Sequence, residues 1–282
     1  MYYIHANDTF SYDVKLKFTV VRKETARSNE VSIKLFSKTS HIQPSIVLCE
    51  NSNDVIFYSI VTVILLGVDK DYLSFQVSSG GGIETANKIE NYQNERLFAL
   101  AIVDSDKKYI NASYGATCNA ARIKYDKSAK TLFLHILPVH EVENFLPPLY
   151  ILRKLSHKCE NEKKIIKALN NNGIECLRYY DIKEGISAEN IKANNDYYNF
   201  ANKVYKIAYN ADDENFIKHV KLCECKKKNV LPSIGKSLVS KYIKEEISKI
   251  AQYPFVFERD LREIAELFYA YTCCRGKNPL MV

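Results

Sequence analysis

The stretch Leu97-Phe98-Ala99-Leu100-Ala101-Ile102-Val103, followed at once by Asp104-Ser105-Asp106, decides the fold class. A short, wholly apolar run is what a strand buried on both faces requires, as in a parallel sheet covered by helices. Upstream, Ser45-Ile46-Val47-Leu48-Cys49 has the same character and ends in Glu50. Between the two runs lies an apolar helical stretch that Asn53 and Asp54 can cap and Gly67 can end. It is followed by a strand candidate over 73–77, the run Ser78-Ser79-Gly80-Gly81-Gly82, and a polar helical stretch over 83–95. Strand, helix, strand, helix, strand predicts an α/β fold with a mostly parallel sheet and right-handed crossovers. Residues 123–125 and 131–137, joined by a polar turn, predict a hairpin at the sheet's edge.

Outward from this core the patterning changes. Val14, Leu16, Phe18 and Val20 alternate with polar residues, as do Val31, Ile33 and Leu35, so residues 1–43 are expected to form a β-hairpin extension. The core itself is expected over 44–147. Pro147-Pro148 marks its end, and 148–282 reads as mainly helical: 149–171, 190–209, 215–227, 237–252 and 258–271 carry amphipathic Lys/Glu patterns with interspersed Ile, Leu and Tyr. Residues 179–185 are expected to complete the active site. No internal repeat is visible.

Composition excludes several classes. The 282 residues are 46% hydrophobic and 26% charged, which removes disordered and low-complexity chains. The net charge of +7 permits an anionic partner without requiring one. The most apolar run, from Val55 to Leu66, is 12 residues, short of the roughly 20 that span a membrane, and is expected as a buried helix. No basic and then apolar signal pattern is read over 1–15, and eight cysteines in such a chain suggest reduced thiols and a cytoplasmic protein without membrane contact. Cys223-x-Cys225 and Cys273-Cys274 lack the C-x2-C spacing of zinc ribbons, so they read as structural or incidental, with a metal site involving His219 as the alternative.

Acidic residues fall at strand ends. Glu50 follows the first buried strand, Asp54 lies four residues on, and Asp104 and Asp106 follow the most apolar strand. Ligands of open parallel sheets collect at the carboxyl ends of strands. Carboxylates gathered there repel one another and favour a divalent cation; all-oxygen ligation suits Mg2+ or Mn2+, one or two ions. A lone Asp after a strand is ordinarily a cap, and the combination of Glu50, the glycines and D-x-D is what sharpens the reading. Gly80, Gly81 and Gly82 have two readings: amides that approach a nucleic-acid phosphate, or a sharp strand-to-helix turn. Lys107, next to Lys108, is a candidate phosphate contact. Glu143 reads as a further ligand or a helix start, and Glu141 as solvated.

Leu48-Cys-Glu50-Asn-Ser-Asn-Asp54 and Ala101-Ile-Val-Asp104-Ser-Asp106 resemble the first and second motifs of TOPRIM domains, and are most similar to those of overcoming-lysogenisation-defect nucleases and standalone bacterial anti-phage TOPRIM proteins. Val142-Glu143-Asn144-Phe145-Leu146 and Tyr180-Asp181-Ile-Lys183-Glu-Gly185 resemble later segments of the same group, so that the likeness covers about 44–185. It implies a Rossmann-like TOPRIM sheet flanked by helices, with Glu50, Asp104 and Asp106 as catalytic metal ligands and Asp54 completing the site. It also implies a catalytic cation at Lys183, for which a solvated surface lysine is the alternative. The implied function is a metal-dependent endonuclease acting on RNA (tRNA included) or DNA, the toxic effector of an anti-phage system with an ABC-type ATPase partner; a homodimer is expected when active. A catalytically inactive binding module is the rival expectation. Asn51 stands where topoisomerase and primase members commonly have Gly, which speaks against those activities.

Overall fold

The structure, a computed structural model, describes residues 19–21, 30–32 and 44–273. The chain forms two compact units. One comprises the described residues up to Ile102 with Ala120–His135 and the segment from Arg262; the other comprises Val103–Asn119 and Ile136–Leu261.

In the first unit, β1 (Thr19–Val21) and β2 (Glu30–Ser32) pair with Thr19 opposite Glu30, in parallel. A hairpin requires antiparallel neighbours, so the expected hairpin is not what these six residues form. Alternation assigns side chains to faces and carries no information on strand direction. The other residues of the expected extension lie outside the described ones.

The main sheet is parallel and follows the expected α/β plan. Its strands are β3 (Ser45–Cys49), β4 (Phe75–Ser79), β5 (Ala99–Val103) and β6 (Leu132–Ile136), in the order β4–β3–β5–β6. Leu48 lies opposite Ser78 on one side and Ala101 on the other. Every residue of β5 is buried, as its unbroken apolar run requires. From β3 the chain crosses first to β4 on one side and then to β5 on the other, so the topological switch point falls between β3 and β5.

The helix α1 (Ser52–Leu66) follows β3 and is buried along Val55 and 57–62, the fate expected of a helix apolar all round. Thr62 Oγ1 donates back to the Tyr58 carbonyl at 2.7 Å, and Gly67 ends the helix. β4 starts two residues later than the sequence pattern suggests, because Leu73 bridges Cys273 instead and the Ser74 N–H donates to the Thr272 carbonyl at 2.8 Å, after a 3-10 turn over Lys70–Tyr72. α2 (Ile83–Asn94) matches the polar helical stretch. Residues 123–125 do not form the expected hairpin strand: α3 (Ala116–Lys124) contains Ile123, and its alanines at 116, 120 and 121 favour helix. β6 alone forms that edge.

The second unit is mainly helical. It contains α4 (Pro148–Lys154), α5 (Glu160–Asn172), α6 (Ile174–Leu177), β7 (Ile186–Ser187), α7 (Ala188–Lys192), α8 (Asn195–Tyr209), α9 (Asp213–Cys225), β8 (Asn229–Leu231), α10 (Leu238–Tyr242) and α11 (Ile247–Ile250). β7 and β8 pair antiparallel. The expected helix over 149–171 is broken after Lys154 and resumes at Glu160. The final helix, α12 (Glu258–Thr272), begins in the second unit and ends in the first, where Arg262 donates to the Leu65 carbonyl at 3.0 Å.

Candidate functional site

Glu50, Asp54 and Gly80 to Gly82 belong to the first unit. Glu50 leaves β3 directly. Asn51 is the N-cap of α1, ahead of the expected Asn53 and Asp54. Its Oδ1 accepts the Asn53 N–H at 3.0 Å, while its own N–H reaches Asp54 Oδ2 at 3.2 Å. Asp54 is thereby a capping-box carboxylate, favoured at a helix N-terminus by the dipole. The Gly80 and Gly81 amides donate to the Cys49 and Glu50 carbonyls at 3.2 and 3.1 Å, and Gly82 caps α2. These glycines form the strand-to-helix turn, with the amides of Gly80 and Gly81 satisfied inside the chain.

Asp104, Asp106, Lys107, Glu143 and Lys183 all fall in the second unit. Asp104 follows β5 directly. Asp106 adopts a left-handed backbone, φ 53°, a conformation that costs a non-glycine residue about 1–2 kcal/mol and that Asp tolerates better than most. Its side chain lies over Gly115, where any added Cβ would stand 2.2 Å from Asp106 Oδ2. Only glycine allows this approach. The loop is pinned by Gly115 N–H to the Ser105 carbonyl at 3.0 Å, by buried Ser105 Oγ to the Val139 carbonyl, and by Asp106 N–H to the His140 carbonyl at 2.9 Å. Lys107 Nζ sits 4.5 Å over the Tyr114 ring.

Around this loop lie His140, Glu141, Glu143, Asp181 and Lys183. A 3-10 turn over Val142–Phe145 places the two glutamates, and Asn144 locks it by donating to the Leu177 and Tyr180 carbonyls at 2.7 and 2.8 Å. Lys183 is carried by the turn from Asp181 to Gly185, in which the Gly185 N–H donates to the Asp181 carbonyl at 2.9 Å. Its Nζ lies 3.1 Å from Glu141 Oε2 and 2.9 Å from Glu143 Oε2, and its N–H donates to Glu141 Oε1. Lys183 is therefore no solvated surface residue. Glu141 is not solvated either: its side chain is 7% exposed.

Electrostatics follow from burial and crowding. Burial, reinforced by Glu143, raises the Glu141 pKa to about 7 despite Lys183. Burial likewise raises Glu143, against the lowering pull of Lys183. Burial opposes charge on Lys183, yet Glu141, Glu143 and Asp104 together raise its pKa. His140 is desolvated too, and its bond to Asp181 with the charges of Glu141, Asp181 and Asp106 still lifts its pKa. Burial would raise Asp181, but His140 and the Glu184 N–H hold it below the usual range.

The donor chemistry fits a hard divalent cation. The carboxyl groups of Asp104, Asp106, Glu141, Glu143 and Asp181 outnumber the basic side chains Lys183 and His140, and carboxylate oxygen suits Mg2+ or Mn2+. Among the described residues, one group of three potential ligands has its atoms within 4.8 Å of one another: His140, Glu141 and Asp181. None of these three was a ligand candidate from sequence; for Glu141 the legible signal was its cap spacing to Asn144. The seven described cysteines are unbridged, and His219 Nε2 faces the Val230 carbonyl at 2.9 Å. No helix among the described residues is long and apolar enough to cross a membrane. Comparison with protein-family models, with curated proteins and with solved structures returns no match.

Proposed function

We propose that the chain is a divalent-cation-dependent endonuclease of TOPRIM type, acting on RNA (tRNA included) or DNA as the effector of a bacterial anti-phage system. The observation that carries this reading is the D-x-D loop after β5. Its Asp106 is held in a left-handed conformation over Gly115, beside acidic side chains that outnumber their basic neighbours. Strained backbone tends to persist at sites whose surroundings over-determine it, and such sites are often functional.

In this reading Asp104 and Asp106 hold Mg2+ or Mn2+, with Glu50 as a further ligand by the family resemblance. When bound, such cations supply an activated water and neutralise charge that grows on a phosphodiester in displacement. Lys183 holds Glu141 and Glu143 together and limits their repulsion, a structural role closer to the acids than to the phosphate. Lys107 and Lys108 follow the loop and suit phosphate contact. An ABC-type ATPase partner and a homodimeric active form belong to the same proposal, by analogy. The test is cleavage of labelled RNA and DNA with Mn2+ by wild type and Glu50→Ala: cutting by the first alone is expected, and equal activity in both removes Glu50 from the mechanism.

The rival reading, an inactive binding module, draws on the Lys183 clamp, which compensates acidic charge internally. Calorimetry separates the two. The nuclease reading expects Mn2+ binding that Asp104→Ala abolishes; absence of binding to wild type favours the module.

A further inference from the structure

His140 touches the D-x-D loop at more points than any role in its own turn requires. Its carbonyl accepts the Asp106 N–H at 2.9 Å, and its Nδ1 lies 3.0 Å from the Lys107 carbonyl. A carbonyl can only accept, so Nδ1 carries the hydrogen. Its own N–H donates to the Arg178 carbonyl at 2.8 Å, and its Nε2 faces Asp181 Oδ2 at 3.7 Å. The residue is buried, 5% exposed. One imidazole thus ties the loop that bears Asp106 to the turn that bears Lys183.

The loop's far end is anchored separately. Tyr109 stacks on Tyr197 of α8, centroids 6.3 Å apart, and accepts a hydrogen bond from Asn194 Nδ2 at 3.1 Å. Between that anchor and β5, His140 supplies the one side-chain grip on the backbone carbonyl that follows Asp106 among the described contacts.

We infer that His140 is a positioning residue for cation binding: its Nδ1–H bond to the Lys107 carbonyl, with its own carbonyl on the Asp106 N–H, fixes the backbone of the D-x-D loop. In this role it acts through the loop backbone, and the inference builds on the reading of Asp104 and Asp106 as ligands.

Two substitutions separate the two ring nitrogens. Asn places an amide donor where Nδ1 stands; Gln places one where Nε2 stands. Mn2+ affinity by calorimetry and amide exchange of peptides over 104–109 are read on the full chain for wild type, His140→Asn and His140→Gln. Loss of a residue that orients a ligand typically weakens a metal site 10- to 100-fold, so His140→Gln is expected to lose about tenfold or more and His140→Asn less than about threefold. Exchange over 104–109 is expected to accelerate in His140→Gln alone. Equal losses in both variants, no loss in either, or a loss confined to His140→Asn would each overturn the assignment. If wild type binds no Mn2+, the proposed function fails, while the exchange comparison still decides the role of His140.

Discussion

Lys183, between Glu141 and Glu143, shows how single residues set the charge of this site. Lys183→Met leaves two buried carboxylates without their cation. Removing one partner of a buried pair costs about 3–5 kcal/mol; the Lys183 side chain is 34% exposed, and solvent screening reduces the cost to about 2 kcal/mol. Denaturant unfolding of wild type and Lys183→Met measures it. Glu141 makes an opposite contribution with pH. Its pKa rises from the ordinary 4.5 to about 7 on folding, through burial and then Glu143. A carboxyl raised in this way favours the folded state while protonated, so its contribution is complete below about pH 4.5 and is lost as pH rises through 7. The shift corresponds to roughly 3 kcal/mol. Metal-free protein is expected to lose stability across that window, and Glu141→Gln to flatten the loss; a profile unchanged by the substitution contradicts the burial of an ionisable Glu141. The burial of this residue was illegible in the sequence: its spacing to Asn144 marks a turn, and nothing local marks an interior carboxyl. A glutamate in Val139-His-Glu141-Val-Glu143 reads as solvated, and its burial depends on a lysine 42 positions away.

At the scale of elements, two glycines shape the loops that carry the site. An alanine at Gly115 would put its Cβ 2.3 Å from the Asp106 Cβ, so Asp106 must move. Gly115→Ala is expected to cost about 1–3 kcal/mol, as overpacking does, and to weaken Mn2+ binding, read by thermal unfolding and calorimetry. Gly185, at φ 73°, lies with its Cβ position 2.5 Å from the Leu231 carbonyl. Gly185→Ala is expected to be at least as destabilising and to loosen the Lys183 turn, which faster amide exchange over 181–185 reports. The long apolar elements were legible for the same reason that they are stable. β5 is buried along its whole length and α1 along Val55 and 57–62, and an unbroken apolar run has few other outcomes. Where local pattern leaves a choice, tertiary contacts decide it. β1 and β2 pair in parallel, Ile123 is helical, and Asp54 caps a helix. The D-x-D position was legible as a strand end; the left-handed turn at Asp106 was not, since it depends on Gly115 nine residues on.

For the whole molecule, the +7 charge and the acid-rich cluster describe a basic chain with a local concentration of carboxyl groups. A cation that binds the folded state alone stabilises it by mass action, about 2.7 kcal/mol at a hundredfold excess over Kd. Mn2+ is therefore expected to raise the unfolding temperature of wild type and to leave Asp104→Ala unmoved; a shift of equal size in both places the cation elsewhere. The α/β plan and the strand order put a switch point between β3 and β5, which is where such sheets bind ligands, and chemistry at that edge is the central claim. Its most direct test is a time course of purified wild type, Glu50→Ala and Asp104→Ala on end-labelled RNA and DNA, with Mn2+ and with chelator. Metal-dependent cutting by wild type that both substitutions abolish is the predicted result. Cutting that survives either substitution, or the chelator, would contradict it.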